Sequence, residues 1–164
     1  MNQTSISARR IAIIGAGAIG GHFAARLALA GHRVSMLARG ATLQALGASG
    51  LRYAAPDEPE RTVPVNAYAD CAAMGPQDLV VIALKSHALP AVVDSLAPLV
   101  GPETVVLPVG NGLPWWYFLT PGNPLQGLRL ASVDPNGRIE RALPLGQVLG
   151  LSLIHISEPT RQEA

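Results

Sequence analysis

Runs of apolar residues alternate with amphipathic stretches along most of the chain. Residues 11–14 form a short, continuous apolar run that ends at Gly15, which is typical of a strand buried on both faces of a parallel sheet. In residues 18–30 apolar side chains recur every three or four positions, which predicts a helix packed on that sheet and ended by Gly31. The positions that define this face are Ile19, Phe23, Leu27 and Ala30. Residues 33–38 predict a second strand.

The rest of the chain continues this alternation. Four further strands are predicted, at residues 50–53, 61–65, 78–84 and 104–108, and a last strand begins at residues 147–150. Two more helices are predicted, at residues 42–46 and at residues 87–100, the second with Pro90 in its first turn. Strands that alternate with helices predict an α/β fold with a Rossmann-type, doubly wound and mainly parallel sheet.

Composition narrows the function classes. The chain has 164 residues, 49% of them apolar, which suits the core of a single domain. A net charge of +1 argues against a strongly basic nucleic-acid binder, and the longest apolar stretch is too short to span a bilayer. Cys71 is the single cysteine, which excludes a disulfide framework and a cysteine-based metal site. We expect a cytoplasmic protein with no metal, nucleic-acid or membrane partner; the oligomeric state is not indicated.

A G-x-G-x-x-G motif lies between the first predicted strand and the first predicted helix. Its members are Gly15, Ala16, Gly17, Ala18, Ile19 and Gly20. This context favours a dinucleotide site over a purely structural glycine turn. Gly15 allows the tight turn, Gly17 lets a diphosphate approach the backbone, and Gly20 lets the helix pack on the strand. The diphosphate is expected at the amino end of the helix, where N–H groups and the helix dipole attract it.

The end of the second strand indicates which nicotinamide cofactor is preferred. An NAD site places an acid there to accept a hydrogen bond from the ribose 2′-hydroxyl, but residues 35–39 contain none. Arg39 offers a guanidinium to a 2′-phosphate instead, which favours NADPH over the alternative of a solvated surface arginine. Arg9 and Arg10 resemble a twin-arginine export signal. Because the apolar run after them contains the complete phosphate motif, we favour a cytoplasmic protein over an exported one.

Two further candidates follow later strands. Lys85 is the one lysine in a chain with eleven arginines, and it follows the strand at residues 78–84. It could hold cofactor or a substrate carboxylate, or be a surface side chain, while His87 is interpreted as a helix-start residue. Asn111 lies between Gly110 and Gly112, where it could bond the nicotinamide ribose or carboxamide, or form a common turn.

These pieces, in this order, resemble the ketopantoate reductase (2-dehydropantoate 2-reductase) family. The resemblance covers residues 11–150 and rests on the strings IAIIGAGAIGGHFAARLALAGHRVSMLARG, DLVVIALKSHAL, NGLPWWYF and SVDPNGRI. It implies an NADP(H)-binding domain over residues 1–150, in which residues 15–20 hold the diphosphate. It also implies that Arg39 reads the 2′-phosphate and that Lys85 and Asn111 contact the cofactor beside the substrate.

The implied reaction reduces a small 2-keto acid, ketopantoate, to pantoate for pantothenate synthesis. By the same resemblance the family's catalytic lysine belongs to a helical carboxyl-terminal domain that this chain lacks, so no catalytic residue is expected here. The chain alone is then expected to be inactive. Gly110 departs from the family, in which a polar side chain often precedes Asn-Gly. A reductase of another 2-keto acid and a non-catalytic dinucleotide-binding module stay open as alternatives.

The end of the sequence has a different character. Residues 151–161, LSLIHISEPTR, match a translated frame of a transposase-type sequencing adapter. Residues 151–164 are therefore predicted to be a non-native tail rather than a natural polar terminus. The alternation of apolar and polar residues over 151–156 imitates the end of a strand, and we interpret it as accidental.

Overall fold

A six-stranded parallel sheet organises the chain. The computed structural model describes residues 7–56 and 58–152. Its strands are β1 (Arg10–Ile14), β2 (Arg33–Leu37), β3 (Leu51–Ala55), β4 (Glu58–Val63), β5 (Asn66–Tyr68), β6 (Leu79–Ile82), β7 (Val105–Gly110) and β8 (Leu151–Ser152). All except β3 and β4 belong to the sheet, in the order β5-β2-β1-β6-β7-β8 with every neighbouring pair parallel. The predicted Rossmann-type, doubly wound sheet is confirmed.

Strand β1 lies in the middle of the sheet and is buried on both faces. Ile11 and Ile13 pack into one apolar core, and Ala12 and Ile14 pack into the core on the opposite face. Alternate side chains of a strand point to opposite faces, so a continuous apolar run fits only a covered position such as this one. Because the strands are parallel, the carboxyl ends of β1, β2, β6 and β7 meet along one edge of the sheet.

The helices are α1 (Ala18–Leu29), α2 (Gly40–Ser49) and α3 (Arg138–Ala142). The predicted first helix is confirmed, and Gly31 follows its end at a φ of +88°. Its packed face differs from the prediction, because Ile19 is 48% exposed and Ala30 is also exposed. The buried residues are Gly20, Ala24 and Ala25, whose small size brings the helix close to the sheet. Helix α2 is longer than the predicted residues 42–46.

The predicted helix at residues 87–100 is wrong in type. The chain forms two 3₁₀ segments there, Ser86–Ala91 and Val93–Leu99. Pro90 and Pro98 lie inside them, and a proline in a helix interior lacks an N–H and clashes with the carbonyl four residues earlier. The two segments still bury an apolar face consisting of Leu89, Val93, Leu96 and Leu99.

Strand β4, which overlaps the predicted strand at residues 61–65, does not belong to the main sheet. It pairs antiparallel with β3, with Arg52 opposite Thr62, to form a separate hairpin. Tyr53 and Val63 pack from this hairpin onto Ala25 of α1. These two strands also extend into residues 54–60, a segment that contains Pro56 and Pro59.

The predicted last strand is formed in part. Val148 bridges to Val106, and the Leu149 N–H donates to the Val106 carbonyl oxygen at 2.8 Å. Strand β8 then pairs with Val109 and Gly110. The two residues of this strand, Leu151 and Ser152, are the first two of the predicted non-native tail. The rest of that tail, residues 153–164, lies outside the described residues. Within the described part of the chain no helix has the length and apolar character needed to cross a membrane.

Candidate functional site

The turn between β1 and α1 packs tightly against the loop that follows β6. Gly15 has a φ of +113°, a conformation that glycine adopts readily and other residues rarely do. A Cβ atom placed on Gly15 would lie 2.7 Å from the carbonyl oxygen of Ala83 and 3.0 Å from Cδ2 of Leu84. A Cβ atom on buried Gly20 would overlap the carbonyl oxygen of Gly15. The path of this turn therefore depends on glycine at both positions.

The amino end of α1 is open to solvent. Gly17 is the capping residue and provides no side-chain acceptor to the first turn of the helix. A Cβ atom on Gly17 would meet no atom within 4 Å, and Ala18 and Ile19 beside it are exposed. Open space at a helix amino end suits an anionic group, because the first N–H groups have no acceptor within the helix.

A cleft of about 300 Å³ lies beside this turn, and we call it the Arg39 cleft. Its lining residues are Ile14, Gly15, Ala16, Leu37, Ala38, Arg39, Thr42, Leu84 and Val92. Arg39 is exposed at the start of α2 and forms no ion pair with any acid among residues 7–56 and 58–152. No acidic side chain lines the cleft, so its local charge favours an anion.

A larger cleft of about 560 Å³ lies beyond the ends of β6 and β7, and we call it the Asn111 cleft. Its walls are mainly apolar, and several are formed by Leu113, Trp115, Trp116, Tyr117 and Ile139. Asn111 and Ser86 provide polar groups at the mouth, where both residues are exposed. Leu84 is the one residue that lines both clefts. The two clefts therefore adjoin each other across this side chain.

Lys85 and Ser86 lie in the loop between the two clefts. Lys85 is exposed and lines neither cleft, although Leu84 lines both and Ser86 lines one. The Ser86 hydroxyl donates a hydrogen bond to the backbone carbonyl oxygen of Asn111 at 3.0 Å. His87 is exposed in the first turn of the 3₁₀ segment, at the position that the sequence predicts to start a helix.

The string SVDPNGRI forms a support for the Asn111 cleft. Asp134 is only 7% exposed, and its carboxylate accepts hydrogen bonds from the N–H groups of Ile139 at 2.8 Å and Glu140 at 3.0 Å. Asn136 and Gly137 adopt φ values of 60° and 65°, which turn the chain into α3. Because Ile139 lines the cleft, the carboxylate of Asp134 fixes part of its wall.

An ion pair holds the outer side of α3. The Arg129 guanidinium donates to the Glu140 carboxylate at 2.6 and 2.8 Å. These hydrogen bonds lower the pKa of the Glu140 carboxyl from its ordinary value. The same pairing raises the pKa of Arg129.

The paired tryptophans of NGLPWWYF occupy different environments. Trp115 is buried in the same core as Ile139 and Leu143. The Trp116 ring packs against Gly150, where a Cβ atom would lie 2.6 Å from Cη2. The buried Trp116 Nε1 has no hydrogen-bond partner among the described residues. This string therefore shapes the Asn111 cleft, a role that the sequence alone does not indicate.

The structure places four of the nine predicted site residues in the two clefts, whereas residues 17–20 and Lys85 line neither. Gly15, Ala16 and Arg39 line the Arg39 cleft, while Asn111 lines the other cleft. Sequence reasoning missed Leu84, Thr42 and Ser86. All three lie within three residues of Arg39 or Lys85, which is the one local signal for them. The shared position of Leu84 depends on strands that are distant in the sequence.

Comparisons with known proteins identify the family of this chain. A family model described as ketopantoate reductase PanE/ApbA matches residues 11–114. A 2-dehydropantoate 2-reductase of Mesorhizobium japonicum is 49% identical over 142 residues, which are 86% of this chain and 43% of that protein. One from Nostoc sp. is 38% identical over 108 residues, which are 64% of this chain and 33% of the relative.

A solved structure is similar over the same region. It is a crystal structure of a protein described as a ketopantoate reductase, from Ralstonia solanacearum MolK2, with a TM-score of 0.83 and 55% sequence identity. The match covers 88% of this chain and 44% of that chain. The chain therefore spans less than half the length of each of these relatives.

Proposed function

Because the chain belongs to the ketopantoate reductase PanE/ApbA family, which consists of dinucleotide-binding oxidoreductases, we propose that it binds NADPH for the reduction of 2-dehydropantoate to pantoate. In this reaction the 2-keto group of a small acid becomes a hydroxyl, on the route to pantothenate in the cytoplasm. The observation that carries the proposal is the Arg39 cleft, which has the glycine turn on one side and an arginine without a described acidic partner on the other.

The amino end of α1 is suited to the cofactor diphosphate. Gly17 leaves open space where a side chain would stand, and the first N–H groups of the helix lack a side-chain acceptor. We propose that residues 15–20 hold the diphosphate there, with Ala18 and Ile19 in the first turn of the helix. When bound, the nicotinamide supplies a hydride, and the residues of this chain bind and orient it.

Arg39 is the basis for choosing NADPH over NADH. An NAD site needs an acceptor for the ribose 2′-hydroxyl, and no acid lines the Arg39 cleft. A guanidinium pairs with a phosphate through two parallel hydrogen bonds, which is a strong and specific arrangement. Arg39 therefore reads the 2′-phosphate in this proposal, and Thr42 lines the cleft beside it.

Asn111 and Lys85 serve the nicotinamide and substrate end. The exposed amide of Asn111 is available at the mouth of the Asn111 cleft for the nicotinamide ribose or carboxamide. Lys85 projects from the loop between the clefts, from which a long side chain can reach a cofactor oxygen or a substrate carboxylate. We propose the same two residues as the ones that meet a small 2-keto acid beside the nicotinamide.

The proposal divides the chain into residues 1–150, which form the cofactor-binding half, and residues 151–164, which take no part in binding. The family resemblance assigns the catalytic lysine to the second half of the longer relatives. The chain alone is then expected to bind NADPH without turnover. Absorbance of NADPH with 2-dehydropantoate should fall no faster with the purified chain than without protein, and measurable turnover would contradict this part of the proposal.

The decisive experiment compares two arginines at opposite edges of the sheet. In Arg39→Ala the Kd for NADPH should rise about 10- to 100-fold, because a charge-assisted pair is lost, while the Kd for NADH stays unchanged. Arg33→Ala is the matched control, since Arg33 is exposed at the amino end of β2. Isothermal titration calorimetry measures all six constants, for the parent chain and the two variants with each cofactor. An equal loss for both cofactors, or no loss for NADPH, contradicts the assignment of the 2′-phosphate.

A further inference from the structure

A single side chain joins the loops that follow β6 and β7. The Ser86 hydroxyl donates to the carbonyl oxygen of Asn111 at 3.0 Å, although the two residues are 25 positions apart. The glycines on both sides of Asn111 approach the same hydroxyl. A Cβ atom would lie 3.8 Å from Ser86 Oγ on Gly110 and 4.0 Å from it on Gly112. The hydroxyl therefore faces the backbone of the whole Gly110-Asn111-Gly112 turn.

This hydrogen bond is the main contact that holds the conformation of the turn. Gly112 adopts a φ of +102°, so the chain changes direction immediately after Asn111. Within residues 7–56 and 58–152 Asn111 makes no other hydrogen bond. When a turn is held by one hydrogen bond, the loss of that bond makes several backbone conformations accessible, and the turn becomes less ordered.

We infer that Ser86 is a positioning residue, whose hydroxyl fixes the backbone at Asn111 so that the Asn111 amide is held at the mouth of the Asn111 cleft. This inference rests on the proposed function, in which that amide meets the nicotinamide end of NADPH. An amide that is already ordered binds its ligand with less loss of conformational freedom. The effect is confined to the nicotinamide half, because the Arg39 cleft lies on the other side of Leu84.

The test uses two ligands that differ in the part of the site they cover. NADPH covers both clefts in the proposal, whereas adenosine 2′,5′-bisphosphate covers the adenosine half alone. In Ser86→Ala the Kd for NADPH should rise about 3- to 10-fold, the size expected for one neutral hydrogen bond, while the Kd for the bisphosphate stays unchanged. Ser86→Thr keeps a donor and should restore NADPH affinity.

Two controls separate positioning from general loosening of the fold. Ser95→Ala removes another hydroxyl that donates to a backbone carbonyl, that of Val92 at 2.6 Å. Ser95 itself lines neither cleft, and Val92, which lines the Arg39 cleft, keeps its side chain. It should leave both constants unchanged. Because Ser86 is exposed, Ser86→Ala should also keep the melting temperature of the parent chain. In an Asn111→Ala background, Ser86→Ala should have no further effect on NADPH.

The outcomes distinguish this inference from the function on which it rests. If Ser86→Ala leaves NADPH affinity intact, weakens both ligands equally, or adds its full effect to that of Asn111→Ala, Ser86 does not position Asn111. The proposed cofactor site survives that result as long as the parent chain binds both ligands. If the parent chain binds neither NADPH nor the bisphosphate, the proposed function and the inference both fail.

Discussion

The Arg39 cleft and the Asn111 cleft lie on opposite sides of Leu84 and are held in different ways. The first is fixed by backbone contacts, because Gly15 and Gly20 lie where a Cβ atom has no room. The second is formed by large side chains and by loops that a few hydrogen bonds support. A site fixed by backbone packing is vulnerable to one added atom, whereas a site lined by side chains is vulnerable to the loss of its supports.

The largest expected effect is the disruption of the Arg39 cleft by one added methyl group. In Gly20→Ala the new Cβ atom overlaps the Gly15 carbonyl oxygen, so the turn cannot keep its path. We expect a loss of about 3 kcal/mol or more in the free energy of unfolding, together with loss of NADPH binding. Urea denaturation followed by circular dichroism measures the first effect, and calorimetric titration measures the second.

Two neighbouring glycines provide the controls for that substitution. A Cβ atom on Gly21 would meet only Leu51 Cδ1 at 3.8 Å, so Gly21→Ala should be neutral or stabilise the helix by up to about 1 kcal/mol. Gly17→Ala should keep the stability of the parent chain but lose NADPH affinity, because its Cβ atom would enter the space proposed for the diphosphate. If Gly20→Ala is as stable as Gly21→Ala, the packing argument is wrong.

Removing a hydrogen-bond acceptor that supports the Asn111 cleft should lower the free energy of unfolding by a smaller amount. In Asp134→Ala the N–H groups of Ile139 and Glu140 lose their acceptor in a largely buried place. We expect the free energy of unfolding to fall by about 2 kcal/mol. The fluorescence of Trp115 and Trp116, the two tryptophans of the chain, should report the change directly, since both line the Asn111 cleft.

The size of that effect depends on how many acceptors remain. Asp134→Asn keeps one carboxamide oxygen, so it should retain the bond to one of the two N–H groups and lose about half as much stability. The Kd for adenosine 2′,5′-bisphosphate should not change in either variant, because Asp134 does not line the Arg39 cleft. Equal unfolding free energies for the parent, Asn and Ala forms would show that this carboxylate does not support α3.

The smallest expected effect is a pH dependence in the stability of α3, the helix beside the Asn111 cleft. The Arg129 guanidinium lowers the pKa of Glu140 in the folded chain, so their pairing stabilises α3 at neutral pH. That contribution is complete above the ordinary carboxyl pKa of about 4.5 and is lost as the pH falls through the lowered value. Because Arg129 is exposed and Glu140 is only half-buried, the gain in stability is modest, and a small shift in tryptophan emission below pH 4.5 is expected.

Glu140→Gln isolates this contribution. The variant should show part of the emission shift already at neutral pH and a flatter titration on the acid side. No acid lines the Arg39 cleft, so no matching acid transition is expected from the residues around it. Superimposable acid titrations of the parent and Glu140→Gln would remove Glu140 as the cause.

The glycine turn could be predicted from the sequence because its physics is local. Gly15, Gly17 and Gly20 belong to one short segment between a buried apolar run and a periodic one, and the structure confirms the strand and the helix on either side. The family resemblance is also confirmed, by a family model that matches residues 11–114 and by a relative that matches 142 residues. The roles proposed for Arg39, Lys85 and Asn111 stay predictions.

Other elements escaped prediction because they depend on distant residues or on an exception to a periodic pattern. Residues 87–100 have an apolar repeat that suits a helix, but Pro98 prevents the i to i−4 bond and the segment becomes 3₁₀. The β3–β4 hairpin is stabilised in part by the Arg26–Glu58 ion pair at 2.6 Å, which joins α1 to β4. No pattern of neighbouring residues signals such a pair.

The position of Leu84 as the wall common to the Arg39 and Asn111 clefts has a geometric consequence. A ligand that occupies both clefts passes over this one side chain, which therefore helps to set how far apart its two ends lie. Changing the size of the side chain would alter that span even when no polar group is touched.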